Sequence, residues 1–254
     1  MSTLSVEGLG VRYGHTVAVH DVHFGVEPGE IFSLIGPNGA GKTSTLAVIE
    51  GLRAPDSGDV RIFHVDPRRE PRRARAALGV QLQSTSFQPD LTLIELVQLY
   101  AGLYGIRMGA RAARLRLDAA GLGPVADRRP RAVSGGQLQR LGLLVADIHS
   151  PPLLLLDEPT TGLDPVSRRA LWQHIEQVRR DGRSVLLTTH SMEEAAALSD
   201  RIGILVAGTL VATDTPAGLI QRFGADPRVR RVARGAATLE DVFVGITGGQ
   251  EVRA

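Results

Sequence analysis

The run GPNGAGKT, Gly36 to Thr43, constrains this chain more than any other part of it. It satisfies GxxxxGK[ST], and it is flanked in a telling order. Before it lies the short apolar run IFSLIG, which reads as a buried strand; after it, TSTLAVIEGL carries Leu46, Ile49 and Leu52 at helical spacing. Strand, glycine turn and helix in that order form a cradle for phosphate. Backbone N–H groups from Asn38 to Ser44 converge on one anion only if the chain turns tightly, and Gly39 and Gly41 supply backbone angles that side chains resist. The positive end of the helix then faces the same anion. The candidate phosphate-binding residues are therefore Gly36, Pro37, Asn38, Gly39, Ala40, Gly41, Lys42, Thr43 and Ser44.

Lys42 is the only lysine among 29 basic residues; every other is arginine. A compact ammonium on a flexible stem reaches between the β- and γ-phosphates inside a closed loop, where a planar guanidinium enters only as a bulky fork. Thr43 offers a hydroxyl to Mg²⁺. The loop alone specifies a nucleotide phosphate and leaves the reaction open.

A second strand supplies acids. In LLLLDEP, Asp157 and Glu158 stand where a buried strand emerges, about 115 residues after the loop. Asp157 is expected to hold Mg²⁺ through its water shell, and Glu158 to orient the water that attacks the γ-phosphate. Neighbours on a strand point to opposite sides unless the chain turns, so both can serve one site only if it does. His190 closes SVLLTTH at another strand end, within reach of the γ-phosphate or of Glu158. The other six histidines show no ligand spacing, and the chain has no cysteine, which excludes thiolate metal sites, cysteine nucleophiles and disulfides.

The amino end, SVEGLGVRYG and TVAVHDVHFGV, alternates as strands. From about 76 to 150 the texture becomes helical, in LTLIELVQLYAGLYG and ARAARLRLDAAGL. Strand and helix then alternate again: LLLL, a helix from about Pro165 to Arg180, SVLLTTH, SMEEAAALSD, RIGILVAG and TLVATD. The expected organisation is one α/β domain over 1–225, interrupted by a helical subdomain at about 76–150, with a short tail over 226–254. No signal-peptide pattern opens the chain and no run approaches the roughly 18 apolar residues of a membrane span, so a soluble cytoplasmic protein is expected. Formal charge is +2. The basic runs RREPRRAR and RVRRVAR lack interleaved aromatics and read as solvated faces, not nucleic-acid sites.

At VSGGQLQR, Val133 to Arg140, a serine and two glycines open a helix and make a second anion-binding start. Here the chain resembles the ATP-binding cassette (ABC) transporter ATPases, whose signature LSGGQ reads VSGGQ in this sequence. The resemblance spans roughly residues 4 to 220. Tyr13 in VRYG matches the aromatic that stacks on adenine. Gln83 in GVQLQ matches the glutamine that links Mg²⁺ and the attacking water to a transmembrane partner. Asp164 in TTGLD matches the dimer-contact loop, and His190 the switch histidine. The resemblance implies a P-loop NTPase (RecA-like) core sheet with an antiparallel β subdomain and an inserted helical subdomain. It also implies ATP and Mg²⁺ as cofactors and a head-to-tail homodimer, in which Ser134, Gly135, Gly136 and Gln137 of one copy complete the ATP site of the other.

The tail ATLEDVFVGITG, residues 237–248, resembles that of bacterial drug- and antibiotic-exporting cassettes of the daunorubicin-resistance type. The expected function is ATP hydrolysis powering export through a separate permease, at the cytoplasmic face of the membrane. The alternative is a soluble ABC-type ATPase acting on nucleic acid or ribosomes; the long coiled coils, paired cassettes or zinc motifs common in such proteins are not visible. A P-loop kinase would leave VSGGQ unexplained.

Overall fold

A computed structural model describes residues 2–81 and 86–248. The chain opens with strands β1 (Leu4–Tyr13) and β2 (Thr16–Val26), paired antiparallel from Leu4 opposite Val26 to Tyr13 opposite Thr16. Leu4 and Val6 are buried by alternation, and the register shift between Val6 and Leu9 brings Leu9 and Val11 into the same core cluster. Strand β3 (Ile31–Ile35) is buried along its whole length, as a central parallel strand must be. Helix α1 (Lys42–Ile49) follows, then β4 (Ser57–Ile62), which pairs antiparallel with the other edge of β1 to complete a three-stranded sheet.

Helix α2 (Pro71–Ala76) takes up the first basic run, where Arg68 and Arg69 sit by Asp66 and Arg73 by Glu70. Strand β5 (Leu78–Gln81) lies inside the segment that reads as helical, and it pairs parallel at the edge of the main sheet. The purely helical stretch begins later, with α3 (Leu93–Leu103), α4 (Ala110–Ala119) and α5 (Gly135–Ala146). Four residues are too few to betray a strand by alternation, and only its neighbour in space identifies it. The three helices share an apolar cluster of their own that includes Leu93, Leu96, Leu117 and Leu141.

Next come β6 (Leu153–Asp157), α6 (Pro165–Arg180), β7 (Ser184–Thr189), α7 (Met192–Leu198), β8 (Arg201–Val206) and β9 (Thr209–Asp214). The main sheet has the order β5-β6-β7-β3-β8-β9, parallel except for β9. Because β6 and β7 insert beside β3, the carboxyl ends of all three emerge together, where open α/β sheets hold their ligands. Phe24 of β2 stacks on Phe32 of β3 at 5.2 Å, tying the small sheet to the large one. Truncating Phe32, which is fully buried, costs about 3–5 kcal/mol.

The carboxyl end is not loose. Helices α8 (Pro216–Phe223), α9 (Pro227–Arg230) and α10 (Leu239–Thr247) place Leu219, Val229, Leu239, Val242 and Phe243 in one cluster with Ile35, Ile202 and Ile204 of the sheet. A side chain at Gly245 would come within 2.8 Å of the Val229 backbone, so α9 and α10 touch through that glycine. Residues read as a tail thus complete the core through Thr247. Among the described residues no helix is long and apolar enough to cross a membrane.

Candidate nucleotide site

The phosphate cradle forms because two glycines take the conformations expected of them. Gly39 has φ +78° and Gly41 +105°, both in the left-handed region, and a Cβ on Gly41 would collide with the Ala18 carbonyl oxygen. Gly41 is also the residue before the first turn of α1, with no side chain capping that turn. The first turn that follows is the positive end of a helix, where an anion is favoured. Lys42 is 6% exposed; its Nζ donates to the carbonyl oxygens of Gly36 at 2.5 Å and Pro37 at 3.2 Å. Those two bonds hold the ammonium within the loop. Thr43 is exposed beside it.

A cavity of about 330 Å³ opens over the loop. Tyr13 stands at its rim, 49% exposed, Asn38 to Ser44 form its floor, and Glu158 reaches in from the end of β6. Glu158 has φ +48°. That conformation is rare for a residue with a long side chain and costs on the order of 1–3 kcal/mol. It answers the condition set by the sequence: the chain does turn between Asp157 and Glu158, so neighbours that would diverge on a strand face one site.

Thr188 of β7 lies directly opposite Asp157 in the sheet register. Its hydroxyl donates to Asp157 Oδ1 at 2.5 Å, and its Oγ1 and carbonyl oxygen both accept from the Glu158 N–H at 3.1 Å. Burial pushes the Asp157 carboxyl above its ordinary range and the Glu158 charge adds to this, while Thr188 and Lys42 pull the other way. The Thr161 hydroxyl donates to Glu158 Oε2 at 3.3 Å, and His190 Nδ1 lies 3.5 Å from the same oxygen. Loop, carboxylate pair and histidine, separated by up to about 150 residues, are thereby brought together.

The second anion-binding start is elsewhere. Ser134 caps α5, its hydroxyl accepting from the Gln137 N–H at 3.3 Å while Gln137 Oε1 accepts from the Ser134 N–H at 2.8 Å. Gly135 faces open space, and Gly136 packs toward Leu163 and Ser167. None of Ser134, Gly135, Gly136 and Gln137 lines the cavity over Lys42. Asp164 caps α6, accepting from the N–H groups of Val166 at 2.9 Å and Ser167 at 3.0 Å, and these bonds, with one from the Ser167 side chain foremost, hold its carboxyl below the usual range. Gln83 lies outside the described residues. Thr188, Thr161 and Ala18 escaped the sequence reading. Thr188 left a signal, two positions before His190 in SVLLTTH, and Thr161 one in lying within TTGLD, but the partner of Thr188 is set by cross-strand register.

A cavity floored by a glycine loop on one strand and walled by a carboxylate from the neighbour-but-one is how P-loop nucleoside triphosphatases are built. Residues 19–161 match the ABC transporter family, and the chain belongs to that family. It is an ATP-binding cassette ATPase. Among curated relatives it is 37% identical over 259 residues to the Nod factor export ATP-binding protein I of Paraburkholderia xenovorans (strain LB400), covering 95% of this chain and 85% of that one. It is 35% identical over 235 residues to the linearmycin resistance ATP-binding protein LnrL of Bacillus subtilis (strain 168), covering 91% and 75%. Among solved structures it is similar to the dimeric structure of a post-hydrolysis state of the ATP-binding cassette MJ0796 bound to ADP and Pi, with a TM-score of 0.75 at 27% identity over 84% of this chain and 98% of that one. The sequence-based expectation of an ABC ATPase on a P-loop α/β fold is borne out.

Proposed function

We propose that this chain is the ATP-hydrolysing subunit of an exporter, driving a drug-like or antibiotic-like substrate through a separate membrane-spanning protein. The observation that carries the hydrolytic part is the strained Glu158, turned into the cavity over Lys42 with His190 3.5 Å away. Strain of this kind persists where the surroundings over-determine it, and here Thr188 and Thr161 do so. Glu158 takes the role of base, orienting and polarising a water against the γ-phosphate, and His190 steadies that carboxylate. Lys42 exchanges its bonds to the Gly36 and Pro37 carbonyls for bonds to the β- and γ-phosphates, and Tyr13 stacks on the adenine.

The residues present fit a magnesium ion. Thr43 offers an exposed hydroxyl, and Asp157 a carboxylate whose charge is disfavoured by burial and by Glu158, an imbalance that a dication corrects. Among the described residues no group of three His, Cys, Asp or Glu could enclose a metal. That donor set suits Mg²⁺, which keeps waters and shares phosphate oxygens with one or two protein ligands, here Thr43 and Asp157, with Gln83 joining them. Bound there, Mg²⁺ neutralises charge developing on the phosphates.

The helix start at Ser134 to Gln137 stands apart from the chain's own cavity, which supports a head-to-tail homodimer whose second copy supplies a phosphate to it. Asp164 sits at the contact between copies. The MJ0796 cassette is described as dimeric, in keeping with this reading. Export is supported by the names of the Nod factor and linearmycin resistance relatives and by the 237–248 segment. The membrane partner holds the cassette at the cytoplasmic face. A role on nucleic acid is disfavoured, since arginines of both basic runs are engaged with Asp66, Glu70 and Asp226.

The test is phosphate release from Mg-ATP by the chain alone and reconstituted with a membrane-spanning permease from the same cells. Hydrolysis that rises with that protein, with dimers trapped by ATP in Glu158→Gln, supports the reading. No hydrolysis and no dimer under either condition overturns it.

A further inference from the structure

The ring of Tyr13 is not loosely placed. The residue ends β1, and the turn after α1 grips the chain immediately before it. Arg53 Nη2 donates to the Arg12 carbonyl oxygen at 2.5 Å, while Asp56 Oδ2 accepts from the Arg12 N–H at 2.7 Å. The Asp56 N–H in turn donates to the Gly10 carbonyl oxygen at 2.9 Å, and Arg53 and Asp56 stand 3.8 Å apart as an ion pair. Both backbone polar groups of Arg12 are therefore tied to one turn. The same Arg53 lays its guanidinium over the Tyr13 ring, with Cζ 4.0 Å from the ring centroid, a cation–π contact at close range.

Tyr13 lines the cavity above the phosphate loop, and Arg53 is not among the residues that line it. With the guanidinium against its ring, Tyr13 is still 49% exposed. Arg53 is itself only 31% exposed, and its Nε is buried with no hydrogen-bond partner among the described residues, while its Nη2 bonds to the Arg12 carbonyl oxygen. An arginine free to choose would turn that N–H to water.

We propose that Arg53 is a positioning residue for the nucleotide base: it braces the Tyr13 ring from behind so that the free face receives adenine already oriented. The inference rests on the reading of Tyr13 as the adenine-stacking residue. The physical basis is preorganisation. A half-exposed aromatic side chain otherwise loses rotamer freedom when a base stacks on it, and that loss weakens binding; a ring in contact with a guanidinium, on a chain fixed at Arg12, has lost part of it already. Arg53 touches neither the phosphates nor the reacting water, so its effect falls on base recognition alone.

The experiment compares ATP with inorganic tripolyphosphate, which fills the loop and has no base. In Arg53→Met, which keeps the packed stem and removes the charge, the Kd for ATP rises about 3- to 10-fold, the size of one cation–π contact. The loss falls on KM rather than kcat, and the Kd for tripolyphosphate stays at the parent value. Arg53→Lys recovers part of the loss, because an ammonium still sits over the ring. In a Tyr13→Ala background Arg53→Met has no further effect. The proposal is overturned if Tyr13→Ala weakens ATP and Arg53→Met does not, or if Arg53→Met weakens ATP and tripolyphosphate alike, the mark of a general loosening of the loop. If Tyr13→Ala itself leaves ATP binding unchanged, it is the reading of Tyr13 that fails, and the brace has nothing to position.

Discussion

Helices α1 and α5 both open on glycines, yet they treat their first turns in opposite ways. Gly41 before α1 offers no capping side chain, and the residues of that first turn, Lys42 to Ser44, line the cavity. Ser134 and Gln137 of α5 cap one another, satisfying one N–H each from within the chain. The far ends differ too. Glu50, after α1, is pushed up to about 7 by burial and then by Asp157, whereas Asp147, after α5, is held below its ordinary range despite burial because His174 and Arg183 bond to it. One helix carries no side-chain cap at its start and a carboxyl disfavoured as an anion at its end. The other braces its first turn with its own side chains and leaves the glycine amides of Gly135 and Gly136 at its start, which suits a surface presented to a second molecule.

The largest expected effect comes from removing the base that acts on what α1 holds. Glu158→Gln lowers turnover by about 10²- to 10⁴-fold, leaves ATP binding intact, and accumulates a dimer on gel filtration. Unimpaired steady-state hydrolysis would remove Glu158 from its role.

The comparison itself is broken or kept by mixing subunits. Lys42→Ala loses its own loop, and Gly135→Glu sets a carboxylate in the open space at the start of α5, where nothing beyond its chain neighbours and its own helix crowds a side chain. Each variant alone is expected to fall roughly 10- to 100-fold in hydrolysis, from the loss of a charge-assisted bond or the gain of a repulsion. Mixed dimers retain one intact composite site, and activity returns toward half the parent's. No recovery would mean that α5 does not serve its partner. Lys42→Arg, with the same charge, sharpens the point about α1: ATP binding or turnover falls several-fold because a guanidinium does not fit where Gly36 and Pro37 now hold an ammonium.

The smallest effects concern the two carboxyls beyond the helices. Glu50 in the folded protein binds a proton that the unfolded chain releases from about pH 4.5, so stability falls as pH rises from there to about 7. Glu50→Gln therefore raises Tm at pH 8 by a few degrees, corresponding to about 1–3 kcal/mol, and has little effect at pH 4. Asp147 has the opposite sign: its contribution is present above its unfolded value and fades as pH falls below it. Asp147→Asn lowers Tm at pH 7 by a similar amount, and the difference from the parent shrinks in acid.

Much of the fold was legible because it is local. The strand before the loop and the later strands LLLL and SVLLTT stand out as short apolar runs, and the helix Pro165–Arg180 repeats its buried residues Leu171, Ile175 and Val178 at three- and four-residue spacing. What escaped was short or depended on a neighbour: β5, the packing of α9 and α10, and β4. In the site, the loop, Asp157, Glu158 and His190 announced themselves by type and spacing. Thr188 and Arg53 did not, since each matters only through what lies across from it.

The amino-acid order by itself determined that phosphate would be held between β3 and α1, because glycine angles and helix polarity are properties of a few adjacent residues. Tertiary structure alone decided that Asp157 and Glu158 would face that phosphate together, that Thr188 would lock them, and that Arg53 would lie over Tyr13. Those arrangements depend on strand register and on the packing of distant turns, and both are settled by how the whole chain buries its apolar surface rather than by any stretch of it.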